Sequence, residues 1–309
     1  MEETAMKILV CSRISIPAKD RTLPAWEYLR SQGHEVIVEH PGSPQVTTTP
    51  DAIICMGVSI MEEAFVALER FPKAPLWVYN WDCYQWVWED NREGTQQKYN
   101  PDRGQEYDYV KFGELCRRAK EVWVPSLCTG KRTSQWWRVD NWHIIRSSCP
   151  WWDYDNVRDE GYVLCTLRHL PDPFDRKFES ACQELKIPYM RTDHQLSYEE
   201  YQDKVAGCKF LVNHFFEAST GGLTLMEGYY LGKHCLCNAS PWNGAKDYLG
   251  DRAHYFAAND YDDFKNKLDL MYAKLPKLDR TECSTFIKEN FSDLRMVDEM
   301  MARIRLHVN

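Results

Sequence analysis

The run Glu217-Ala-Ser-Thr-Gly-Gly-Leu-Thr-Leu-Met-Glu227 carries the residue types and spacing in this chain that could do chemistry. Two adjacent glycines, Gly221 and Gly222, open an apolar stretch that reads as a helix, with Leu223 and Thr224 in its first turn. The unbonded N–H groups and positive dipole end of such a helix start suit a diphosphate. Glu227 falls one turn further in, where a carboxylate can accept hydrogen bonds from a ribose diol. A local reading competes, because Thr224-Leu-Met-Glu227 also has the spacing of a capping box that would only seal a helix start. A short apolar strand over 235–237 and a turn at Asn243-Gly244 follow, as a βαβ unit requires.

These residues resemble the donor-binding motif of the retaining glycosyltransferases of family 4, which have the two-domain GT-B architecture. The family motif places a first Glu eight positions before the second; here Ser219 stands at the first position and Glu227 at the second, with Glu217 displaced by two. The resemblance implies an α/β protein of two Rossmann-like domains facing a central cleft, and a nucleoside diphosphate sugar, with UDP as its nucleotide, as co-substrate. It also implies an Arg and a Lys that grasp the donor diphosphate. Arg168, after the apolar run Tyr162–Cys165, matches the Arg, and Arg176 or Lys177, set further along by Pro171-Asp-Pro173, matches the Lys. A departing diphosphate needs cationic donors at its oxygens, and Arg can give two hydrogen bonds at once.

The elements that must position these groups are legible as alternating runs. Lys7–Cys11, Ala52–Cys55 and Leu76–Tyr79 read as buried strands, with helices over 22–32, closed by Gly33, and over 61–71. Glu121–Ser126 and His143–Arg146 read as further strands flanking a helix over 129–137. After a polar stretch, strands at 161–168 and 210–214 and helices at 197–206 and 261–275 repeat the pattern. The boundary is expected near residue 157, giving an acceptor-binding domain over 1–157 and a donor-binding domain over 158–309. By resemblance, a last helix over about 291–307 crosses back to the first.

Asn80-Trp81-Asp82 sits at the carboxyl end of a predicted strand, where open α/β sheets build sites. The family carries a His and often an acidic residue there, so the resemblance makes Asp82 a candidate catalytic group. Aromatic residues crowd the same region: Trp77, Tyr79, Trp81, Tyr84, Trp86 and Trp88, then Trp136, Trp137, Trp142, Trp151 and Trp152. Core packing and a stacking platform both fit, and Trp81, Tyr84 and Trp86 are the candidates for holding an acceptor.

Composition bounds the remaining classes. With 309 residues, 44% of them apolar, the chain can bury two domains of ordinary size. The acidic start Met1-Glu-Glu-Thr-Ala-Met6 and the absence of a run near 20 apolar residues argue against a signal peptide and a membrane span. Twelve cysteines are scattered without a Cys-x-x-Cys pair, so a reducing cytoplasm is expected. The net charge of −8 argues against wholesale nucleic-acid binding. Between Lys111 and Arg138, however, seven basic residues face two acidic ones: either a solvated helix surface or a seat for a phosphate-bearing acceptor.

Asp153-Tyr-Asp155 and Asp260-Tyr-Asp262 could hold a metal under a diphosphate, but neither follows an apolar strand. The expected activity is therefore metal-independent sugar transfer to a hydroxyl on a glycan, a lipid or a hydroxymethylated base in viral DNA. An inactive GT-B protein that only binds a nucleotide or sugar is the alternative, because Ser219 replaces a family carboxylate.

Overall fold

The computed structural model describes residues 5–12, 23–39, 46–80, 98–100, 105–107, 109–149, 154, 156–165, 173–192, 196–213, 222–240, 243–258 and 260–308. The chain divides into two compact units, Met1–Ser148 with Phe291–Asn309, and Cys149–Asn290.

The first unit is built on a six-stranded parallel sheet ordered β2-β1-β3-β4-β7-β8. Its strands are β1 (Lys7–Cys11), β2 (Glu35–Glu39), β3 (Ala52–Cys55), β4 (Leu76–Tyr79), β7 (Glu121–Val124) and β8 (Trp142–Ile144). All four residues of β3, β4 and β7 are buried, as expected of strands covered on both faces. The crossovers are α1 (Leu23–Ser31), α2 (Met61–Arg70), α3 (Tyr109–Arg118) and α4 (Leu127–Trp137). Gly33 ends the α1 turn at φ 89°, a left-handed conformation that favours glycine. The small antiparallel pair β5 (Lys98–Asn100) and β6 (Gln105–Tyr107) had no sequence signature, since three residues each are too short to show a period.

Among the described residues, the aromatic side chains of these clusters pack in or against the core. Trp77, Tyr79 and Trp123 are fully buried, with Trp77 stacked on Trp123 at 6.4 Å. Trp137 and Trp142 lie against Gly113 and Gly130, where an added Cβ would meet each indole at 2.6 Å. Trp142 also donates to Ser134 Oγ at 2.7 Å. These glycines let three elements close on the rings. The second aromatic cluster is thus packing as far as Trp137 and Trp142 are concerned, and Trp151 and Trp152 lie outside the described residues.

The second unit repeats the plan with five parallel strands ordered β10-β9-β11-β12-β13. These are β9 (Val163–Cys165), β10 (Tyr189–Arg191), β11 (Phe210–Val212), β12 (His234–Asn238) and β13 (His254–Phe256). Its helices are α5 (Pro173–Leu185), α6 (Tyr198–Gly207), α7 (Gly222–Tyr230), the short α8 (Ala245–Tyr248), α9 (Tyr261–Lys274) and α10 (Arg280–Asn290). Pro173 is the first helical residue of α5, the position where a missing N–H costs nothing. The last helix, α11 (Asp293–Val308), packs with the first unit, its Met296, Val297, Met300, Met301 and Ile304 joining the core that holds Trp26 and Trp77.

Candidate functional site

In a doubly wound sheet, ligands gather where the strand order reverses, outside the strands' carboxyl ends. In the second unit that reversal falls between β9 and β11: β9 pairs with β10 on one side and with β11 on the other. Arg168 follows the end of β9 by three residues in the sequence, and the loop into α7 follows β11. The strands that precede both sequence-predicted donor elements therefore flank one switch point. Arg168, Ser219 and Gly221 themselves lie outside the described residues, as do Trp81, Asp82, Tyr84 and Trp86 in the first unit. Arg176 and Lys177 both lie on α5, with Lys177 exposed in the second turn.

Helix α7 is buried nearly all round. Gly222, Leu225, Met226, Glu227, Gly228, Tyr229 and Tyr230 are all buried, while Leu223 and Thr224 are half-buried. Its two glycines are set by packing: a Cβ at Gly222 would run into the ring of Tyr248, and one at Gly228 into Leu211 of β11. Gly222 is thus required under Tyr248, a reason that the reading of a phosphate-approach loop did not contain. Tyr248 is positioned in turn by α8, whose first N–H, at Ala245, donates to Asn243 Oδ1 at 2.9 Å.

The capping-box reading of Glu227 fails, because the helix already begins at Gly222 and Thr224 is inside it. Glu227 instead points inward, 1% exposed, and its Oε2 accepts a hydrogen bond from the Tyr201 hydroxyl at 2.8 Å. A buried carboxylate must be hydrogen-bonded or its desolvation is prohibitive, and Tyr201 on α6 answers that need.

Helix α6 is held firmly enough to aim that hydroxyl. Ser197 Oγ accepts from Glu200 N at 3.1 Å while Glu200 Oε2 accepts from Ser197 N at 2.7 Å, a reciprocal cap. On its outer side Asp203 takes a two-pronged bond from Arg158, 2.9 Å on each arm, and another from Tyr154 at 2.5 Å. Those Arg158 hydrogen bonds hold the Asp203 carboxyl below the usual carboxylate range. Lys233 ties the same region together, donating from a buried ammonium to the carbonyls of Arg158 and Cys208 at 2.6 Å each. Neither Tyr201 nor Tyr248 stood out in the sequence. A signal existed for the first: Tyr201 and Val205 stand four residues apart among polar neighbours, marking the inward face of α6.

In the first unit, Asn80 closes β4, donating from Nδ2 to Thr133 Oγ1 at 3.1 Å and from its backbone to Trp123 O at 2.8 Å. The basic run on α3 and α4 is partly consumed by internal contacts. Lys111 pairs with Glu62 at 2.5 Å and lies 5.0 Å over the Phe65 ring, Arg118 lies 5.7 Å over the same ring, and Arg117 donates to Trp137 O. Of the two Asp-x-Asp candidates, Asp153 and Asp155 lie outside the described residues. Asp260 serves as the N-cap of α9, accepting from Asp263 N at 2.9 Å. Among the described residues, no group of three or more metal-ligating side chains converges, and no helix is long and apolar enough to cross a membrane.

Two doubly wound parallel sheets of six and five strands, the second unit giving its last helix back to the first, define the GT-B glycosyltransferase fold. The chain superposes on a glycosyltransferase from Rickettsia africae ESF-5 with a TM-score of 0.61 at 11% identity, over 98% of this chain and 99% of that one. Against Anabaena HepE in complex with UDP and glucose the TM-score is 0.63 at 12% identity, covering 97% and 100%. The catalytic domain of starch synthase IV from Arabidopsis thaliana, bound to ADP and acarbose, gives 0.59 at 10% identity, covering 99% and 100%. No family model and no curated protein matches the sequence.

Proposed function

We propose that this protein is a metal-independent, retaining glycosyltransferase that moves a sugar from a nucleoside diphosphate, UDP first among them, to an acceptor hydroxyl. The observation that carries the reading is the switch point of the second sheet, from which one strand leads to Arg168 and the next to α7 with its inward Glu227. That a chain of the same fold holds UDP and glucose supports it.

In this reading the N–H groups from Gly221 through Thr224 meet the diphosphate, Arg168 with Lys177 or Arg176 stabilises it as it departs, and Glu227 holds the ribose. Ser219 lies by the donor sugar, and Asp82, Trp81, Tyr84 and Trp86 serve the acceptor side. No metal is needed, because the cationic side chains and the helix start supply the charge that Mg²⁺ would otherwise bring. The described cysteines are all buried, which supports a cytoplasmic setting in which thiols stay reduced.

The test is thermal: a nucleoside diphosphate present at 100 times its dissociation constant should stabilise the protein by about 2.7 kcal/mol. No shift in melting temperature with any nucleoside diphosphate at millimolar concentration rejects the donor site. Transfer or slow hydrolysis of a nucleotide sugar in EDTA should follow, and Arg168→Ala should lower kcat more than it raises KM. Binding without any turnover would support the second reading, a GT-B binding protein, which the exchange of a family carboxylate for Ser219 favours.

A further inference from the structure

We propose that Tyr201 is a positioning residue for nucleotide recognition: its hydroxyl sets the plane of the Glu227 carboxylate and so makes the donor site select a ribose diol. The inference rests on the donor reading above, to which it adds a residue and a specificity.

Two observations carry it. Tyr201 and Glu227 lie on different helices, 26 residues apart in sequence, and meet at 2.8 Å in a buried setting. Fixing one carboxylate oxygen by a directional hydrogen bond fixes the plane of the group, and with it the lone-pair directions of the other oxygen. A Glu side chain has three rotatable bonds, so a hydrogen bond that narrows the orientation of its carboxylate lowers the ordering cost of binding a diol. Finally, α6 is anchored independently of Glu227, by the Ser197–Glu200 cap at its start and the Arg158–Asp203 fork on its outer side. The phenol is therefore a fixed reference, to which the carboxylate adjusts.

A purely structural role, in which the pair only satisfies two buried polar groups, predicts a different outcome, and ligand chemistry separates the two. The probes are a nucleoside diphosphate and its analogue lacking the 2′ and 3′ ribose hydroxyls, titrated calorimetrically into the native protein, Tyr201→Phe and Glu227→Gln. The Phe variant keeps the ring and its packing. The native protein should prefer the ribose form by about tenfold or more, the range expected for hydrogen bonds to a charged group. Tyr201→Phe should bring that preference within about twofold while leaving the affinity for the dideoxy analogue unchanged, and it should add little in a Glu227→Gln background. Equal weakening of both ligands, or an undiminished preference in Tyr201→Phe, overturns the proposal while leaving the donor site standing. Failure of the native protein to bind either nucleotide overturns both together. A melting temperature of Tyr201→Phe near the native value shows that the fold is not what changed.

Discussion

The most informative ionisable pair away from the donor site is His234 with His254. His234 Nε2 lies 2.9 Å from the Pro276 carbonyl, which can only accept, so that nitrogen carries the hydrogen and the neutral ring offers Nδ1 as an acceptor. His254 Nε2 lies 3.1 Å from that Nδ1 and donates to it. The bond needs one ring to offer an unprotonated nitrogen, so a proton on both rings breaks it. Burial lowers the affinity of both for a proton; for His254 the neighbouring His234 and Lys267 charges lower it further, while the Pro276 bond partly offsets the effect at His234. Because both folded values lie below the unfolded one, the unfolded chain takes up protons first. The associated stability is complete above pH of about 6.5 and is lost as pH falls below it. Urea titrations from pH 7.5 to 5 should show falling stability, and His254→Gln, which keeps a donor for Nδ1, should flatten that slope. An unchanged slope in His254→Gln would show that the acid sensitivity lies elsewhere.

Among the elements, α11 is the one whose sequence position and structural membership differ most. It follows the whole second unit in the chain yet supplies a stripe of five buried side chains to the first. Polar contacts fix its register. Arg303 forks onto Glu121 at the start of β7, with Nε 2.9 Å from Oε2, and Trp123 Nε1 donates to the same oxygen at 2.9 Å. Burial works to raise the Glu121 pKa, but the hydrogen bonds from Arg303 and Trp123 outweigh it, and the net shift is downward. Removing Arg303 would strand a carboxylate that is only 5% exposed. Arg303 itself is partly solvated, so Arg303→Ala should cost about 2 kcal/mol in urea unfolding rather than the larger loss of a fully buried pair. Since the folded pKa of Glu121 is depressed, this contribution holds above pH of about 4.5 and disappears on acidification. Arg303→Ala should therefore differ from the native protein at pH 7 and converge on it near pH 3. A difference that persisted undiminished at pH 3 would assign the loss to packing of the arginine stem instead of charge.

For the whole molecule, the open quantity is the acceptor. The net charge is −8, and three of the seven basic residues between Lys111 and Arg138 are engaged by Glu62, Phe65 or the Trp137 carbonyl. The acidic balance of the whole chain and these internal contacts weigh against a polyanion. Acceptor binding is therefore expected to vary little with salt and to fall on Trp81→Ala or Trp86→Ala, the behaviour of a neutral glycan on an aromatic face. A slope of log affinity against log salt of about −3, as four phosphate contacts would give, reinstates DNA as the acceptor. Charge reversal at Lys131 and Arg132 would then have to weaken binding.

What the sequence determined by itself is what short-range patterns encode. Uninterrupted apolar runs marked β1, β3 and β4 as buried strands, and the helix expected over 197–206 is α6. The Gly-Gly loop before Glu227, read with its resemblance, pointed to GT-B, the fold now observed. Only the tertiary structure decided which distant groups meet: Tyr248 over Gly222, Tyr201 on Glu227, and Arg303 on Glu121 across 182 residues. It also decided that β9 lies between β10 and β11, which creates the switch point. Hydrophobic periodicity reports which face of an element is buried but not what buries it. Strand order and side-chain partners are settled by long-range packing of faces that look alike along the chain.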